Sequence, residues 1–228
     1  VLHALAHPAS LLVLLASFVV GITLHGWVQT VVACRLGDTR LRHEGRLRPY
    51  PRRHLEAFGV LAAGLSGLGW ARPVTLPARR RRVAAVAVAV AGPLANLVLG
   101  LAVLLVLRLT YGPVSGLSGG LALELQRGLP LGGSVGALSL LLVGASQLYL
   151  GALSLIPIPP LDGGRLLFAF SPRSSGWQRA EYWLVDQNAG VAVVLALLVI
   201  PLGSGGLPLL LELLDTLLGP VLNALLGG

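Results

Sequence analysis

Long apolar runs separated by short polar stretches set the elements of this chain. Residues 11–36 form a first run, and residues 83–107, held between Arg82 and Arg108, form a second. Each is long enough for the roughly 20 residues that carry a helix across a bilayer. A third run begins near Ala137 and reaches the proline cluster IPIPP at residues 156–160, where missing amide donors and fixed φ must stop the helix. Broken backbone at membrane depth is tolerated only inside protein or beside a watered cavity. After Leu161 a half-polar stretch with Arg165, Arg173, Arg179 and Glu181 leads to a fourth run, residues 189–202. The last run, residues 207–226, contains Glu212, Asp215 and Pro220, which favours a helix at the membrane interface over a span. Gly, Pro and Ser mark residues 110–136 and 203–206 as loops.

Composition agrees with this pattern and adds orientation. The 228 residues are 55% hydrophobic and 11% charged, with a mean hydropathy of +0.82; in soluble proteins about a quarter of residues are charged. The expected fold is an all-α polytopic membrane protein, one membrane domain over residues 1–228 with a bundle of about four to six helices. The basic residues are all arginine, and twelve of the seventeen fall from Arg35 to Arg82 against Asp38, Glu44 and Glu56, a formal +9. By the positive-inside bias, residues 37–82 are a cytoplasmic-side connecting segment lying against anionic headgroups. Its alternating piece TRLRHEGRLR is expected to pair as a small hairpin at the membrane surface. The RRRR run at residues 79–82 has no interleaved aromatics to stack on bases, so nucleic acid is not an expected partner. Cys34 is the single cysteine, which excludes an internal disulfide and a cysteine-rich metal site. The first run carries no small-residue cleavage site ahead of a soluble domain, so no signal peptide is expected. Arginine without lysine or methionine suggests a GC-rich bacterium, and the expected location is the bacterial cytoplasmic membrane, multi-pass.

Three constellations could carry chemistry. The first is LHGWVQ at residues 24–29, inside the first span. Zinc hydrolases place histidines at i and i+4 on a helix with a glutamate beside the first as general base. Here those positions hold His25, Gly26 and Gln29. A lone histidine in a span could equally be a hydrogen-bonded packing residue. The second is LIPIPPLDGGR at residues 155–165, with Asp162 just beyond the broken helix. An ionisable residue there is costly and reads as functional by default, although an aspartate capping the next helix is the plainer alternative. The third is AGPLAN at residues 91–96, where Gly92 and Pro93 allow a kink and Asn96 carries an amide into the bundle, as a packing device also would.

In this order the pieces resemble the site-2 protease family of intramembrane zinc metalloproteases. LHGWVQTVVACRLGD is similar to the family's first core helix, HLEAFG (residues 54–59) and GWARPV (residues 69–74) to its connecting segment, AGPLAN to its second core helix and SLIPIPPLDGG to its third. The likeness covers about residues 20–170. It implies that His25 and Asp162 are metal-ligand positions, and that Asn96, Ser154, Pro157 and Pro159 line a substrate groove. It also shows what is missing. The second histidine is Gln29, the general base is Gly26, and the family's substrate asparagine is Ser154.

These losses remove the chemistry. Catalytic zinc takes about three protein ligands with water in the fourth place, and a neutral amide oxygen is a weaker donor than imidazole. A general base contributes about 10²- to 10⁴-fold. The nearest carboxylate in sequence, Asp38, is thirteen residues from His25, roughly 20 Å along a helix. The HALAH pair, His3 and His7, is expected to lie on a membrane-surface helix. His43 beside Glu44 and His54 near Glu56 are expected on the solvated, lipid-facing surface of the basic loop. The expected protein therefore keeps the fold without hydrolysis, holds no cofactor, and contacts the lipid bilayer and a transmembrane helix of a client or another membrane protein. Two alternatives stand beside it: an active zinc protease using His25, Asp162 and Gln29 or a loop histidine, and a transporter whose broken third helix lines a pathway. Few intramembrane charges and no evident inverted repeat count against the transporter.

Overall fold

The structure is a computed structural model that describes residues 8–74, 82–114, 134–172, 174–203 and 206–227. His3, His7, Arg173, Arg79 to Arg81 and most of the loop expected at residues 110–136 lie outside the described residues.

The chain folds as a helical membrane bundle. Helix α1 (Pro8–Arg35) is followed by the short helices α2 (Arg40–His43), α3 (Pro51–His54) and α4 (Ala57–Ser66). The long α5 (Arg82–Tyr111) and α6 (Val135–Ser154) come next, then α7 (Asp162–Phe170). Helix α8 (Ser175–Glu181) continues as a π-helical turn to Asp186, and α9 (Ala189–Val199) and α10 (Leu209–Leu226) complete the described elements. Four of these, α1, α5, α6 and α10, are long and apolar enough to cross a membrane. In lipid such segments must satisfy every backbone group internally, which a helix does. Helices α8 and α9 form a further pair, bent by 67° at Asn188, whose φ is +55°.

The ends of these helices are set by local chemistry. Helix α1 stops at Gly37, whose φ of +91° lets the Asp38 amide donate back to the Ala33 carbonyl at 2.9 Å and closes the orphaned end. The Ser134 hydroxyl accepts from the Ala137 amide at 3.2 Å and starts α6. As the prolines require, α6 ends at Ser154, and helix resumes only at Asp162.

Helix α5 packs closely along α6, and α1 lies against both. A shared apolar core runs from Phe18 and Ile22 on α1 through Leu104 on α5 and Leu148 on α6 to Leu198 on α9 and Leu214 on α10. Polar groups also cross this interface. Ser17 and Ser146 share a 2.6 Å hydroxyl contact, and the Gln147 amide donates to the Ser17 carbonyl at 2.8 Å.

Two expectations are corrected. TRLRHEGRLR does not form a hairpin: residues 40–43 turn as α2, and the isolated bridge found among the described residues pairs Leu55 with Ala71. Residues 40–43 instead close a helical turn that buries Leu41 against Ala33, Val74 and Val88, and a two-stranded ribbon is marginal alone. Helix α10, expected at the interface, is long and apolar enough to span. It packs against α6 and α5, with the Tyr149 hydroxyl donating to Asp215 and the Val114 amide donating to the Leu226 carbonyl at 2.9 Å at its C-terminal end. Its buried stripe, Leu210, Leu214, Leu218, Leu222 and Leu226, recurs every fourth residue. Asp215 is accommodated beside α6 because Tyr149 gives it a hydrogen-bonding partner.

Candidate site at the His25–Asp162 contact

Helix α1 places Ser17, Gly21, His25 and Gln29 four residues apart, hence on one face. His25 is 1% exposed and meets α5 at Gly92. A Cβ at Gly92 would stand 2.5 Å from the imidazole Nε2, so this approach needs glycine. Asp162 opens α7, where the helix N-terminus favours a negative charge.

Three side chains meet the Asp162 carboxylate. His25 Nε2–H donates to Oδ2 at 2.7 Å, Gln29 Nε2 donates to Oδ1 at 2.8 Å, and Arg165 Nη1 donates to Oδ1 at 3.2 Å. Because a carboxylate only accepts, the His25 proton must sit on Nε2. The same Arg165 also donates to the Val74 carbonyl, at the end of GWARPV. Buried Arg46 donates to the Pro73 and Arg72 carbonyls at 3.2 and 3.0 Å. Two arginines thus hold the connecting segment over the site.

His54 corrects the surface expectation most sharply. It is fully buried, at 0% exposed, and its ring lies against Gly26. A Cβ at Gly26 would stand 2.6 Å from His54 Nδ1, so the imidazole fills the room through which a general-base side chain would leave α1. Its Nε2–H donates to the Arg48 carbonyl at 3.3 Å, which leaves Nδ1 as an acceptor with no partner among the described residues. Burial pushes the His54 imidazole below its ordinary pKa, against the opposing pull of the Arg48 hydrogen bond. The neighbouring Trp27 indole donates to the Leu47 carbonyl at 2.9 Å and pins the same stretch.

The structure therefore brings together His25, Gln29 and Asp162, and adds His54 and Arg165. Both additions had a signal in the sequence: Arg165 is one helical turn after Asp162, and His54 opens HLEAFG. His43 is exposed, as expected. Asn96 is buried one turn along α5 from Gly92, with neither amide atom partnered among the described residues. The Ser154 hydroxyl donates to the Leu150 carbonyl of its own helix at 2.8 Å. Pro157 is exposed, whereas Pro159 is buried.

This donor set does not fit a catalytic zinc ion. The nitrogen of His25 and the oxygen of Asp162 that would face a metal face each other, and Gln29 contributes an amide. Among the described residues no group of three His, Cys, Asp or Glu side chains is placed to hold a metal, whereas zinc takes about three protein ligands.

Comparison with known proteins places these elements in a family. Peptidase family M50 matches residues 72–199, more than half of the chain and the part that holds AGPLAN and LDGG. The chain belongs to peptidase family M50. This is the site-2 protease family, and the protein is a multi-pass membrane member of it. A relative in Bacillus subtilis (strain 168), named "Putative zinc metalloprotease YwhC", is 34% identical over 213 residues, 88% of this chain and 86% of the relative. No solved structure matches. The M50 match begins after His25 and His54, so it does not include the LHGWVQ segment.

Proposed function

We propose that this chain is a catalytically degenerate M50 protein, which uses the family bundle to bind a transmembrane helix of a client or another membrane protein as a scaffold or regulator. The observation that carries this reading is the packing of His54 against Gly26. The place of the general base is glycine, and the volume beside it is occupied by a ring that must move before a carboxylate fits. The hydrogen bonds on Asp162 support it further, since both carboxylate oxygens already accept from His25, Gln29 and Arg165, and a metal would have to displace at least the His25 bond to use both residues. Retention of the proline break, AGPLAN and GWARPV beside these losses supports a fold kept for binding.

Cleavage of transmembrane peptides by the purified protein tests the reading. The expected result is no peptide-bond hydrolysis above a buffer control, with or without added zinc. Specific cleavage abolished by a chelator and by Asp162→Ala would overturn it.

A second reading has an observation of its own. His54 is a buried histidine on the connecting segment with an unpartnered Nδ1, near His25. In an active zinc protease with a non-standard site it would be the loop histidine that replaces the lost ligand or base. That reading requires His54 to leave Gly26 and Asp162 to release His25. A zinc-dependent cleavage lost in His54→Ala would favour it.

A further inference from the structure

A groove of about 390 Å³ runs between the outer face of α1 and the turn that leads into α3, lined by Val19, Val20, Thr23, Leu24, Trp27 and the flanking Pro49 and Pro51. Its walls are almost wholly apolar, and it opens outward, since Val20 is 57% and Tyr50 59% exposed. The residues that flank its two prolines have the opposite chemistry. Arg48 precedes Pro49, and Arg52 and Arg53 follow Pro51; all three are exposed. Of the acids in the same segment, Asp38 pairs with Arg40 at 2.9 Å, the Glu56 carboxylate accepts from the Gly59 amide at 2.6 Å, and exposed Glu44 forms no ion pair with Arg48, Arg52 or Arg53. Among the described residues ion pairs form at His25, Arg40 and Arg165, and none forms at Arg48, Arg52 or Arg53.

From this juxtaposition we infer that the groove is a binding site for one anionic phospholipid, an acyl chain lying along α1 against Val20, Thr23 and Trp27 and the phosphate meeting Arg48 and Arg52. An apolar trough alone would take any acyl chain or an apolar helix. The cluster of arginines at one end selects a chain that carries a negative charge at that end, which in this setting is an anionic lipid. The walls are held for the purpose from behind: Trp27 is fixed to the Leu47 carbonyl, and His54 anchors α3 against Gly26. The site is independent of whether hydrolysis survives at Asp162.

Trp27 provides the readout, because it lines the groove. The full chain is reconstituted into phosphatidylcholine vesicles containing increasing fractions of phosphatidylglycerol or phosphatidylcholine brominated on one acyl chain. The Trp27 contribution is the difference in fluorescence quenching between the parent and Trp27→Phe. Brominated phosphatidylglycerol is expected to quench Trp27 at a lower mole fraction than brominated phosphatidylcholine. Arg48→Gln and Arg52→Gln should each erode that preference by roughly fivefold, the effect of about 1 kcal/mol per surface arginine. Val20→Phe, which fills the trough, should reduce quenching by both lipids and leaves the arginines in place. Equal quenching by the two headgroups, a preference that survives both arginine changes, or displacement of either lipid alike by an uncharged transmembrane peptide would each overturn the assignment.

Discussion

A carboxylate inside a helical bundle is costly unless donors or cations meet it, and Asp162 has His25, Gln29 and Arg165. Asp162→Ala leaves those three side chains with no common acceptor, and thermal unfolding of the variant should show a loss of about 3 kcal/mol; an unchanged transition would mean that the cluster holds nothing together. At Gly26 the argument is steric. Gly26→Glu must displace His54, so it is expected to cost about 1–3 kcal/mol as overpacking and to yield no activity. His54→Ala in the same chain should recover most of that loss, and a single Gly26→Glu variant as stable as the parent would refute the packing. His54 also sets a pH dependence. Its pKa is lowered on folding, so between its lowered folded value and the ordinary histidine value near 6.5 the unfolded chain binds more protons. Stability therefore falls as pH drops through and below about 6.5. Melting curves from pH 8 to 5 should show this slope, and His54→Gln should flatten it. The replaced residues at 26 and 29 were legible in the sequence, because LHGWVQ names them. The burial of His54 was not, because a histidine among arginines has the composition of a solvated loop; its partner, a glycine 28 positions away, is visible only when α1 and α3 meet.

Among the elements, the spans and the proline break were legible, since apolar length and missing amide donors act locally. Helix α1 follows its apolar run to within a few residues, and α6 stops just before the prolines. Two readings failed for want of long-range information. The arginine-rich piece at residues 39–48 alternates in sequence, yet its Leu41 turns inward to pack with Ala33, Val74 and Val88, which favours a helical turn over a ribbon. For α10, Glu212 and Asp215 argued for the interface until Tyr149 on α6 supplied a partner for Asp215. Tyr149→Phe removes that donor and should destabilise the protein by about 1–3 kcal/mol. A thermal transition equal to the parent's would mean that α10 is held by its leucine stripe alone.

For the whole molecule, the central claim is that the M50 bundle is retained while its metal chemistry is not. The family was legible from five short segments in order, because each marks a helix break, a close approach or a ligand position. The state of the site was legible only in part, since the sequence showed which family residues are replaced but not that Arg165 would bond Asp162 or that His54 would fill the space at Gly26. Elemental analysis of the detergent-purified protein, beside His25→Ala and Asp162→Ala, tests the claim most directly. The account predicts no zinc above background in any of the three. About one zinc per chain, lost in both variants, would contradict it and restore a metalloprotease site.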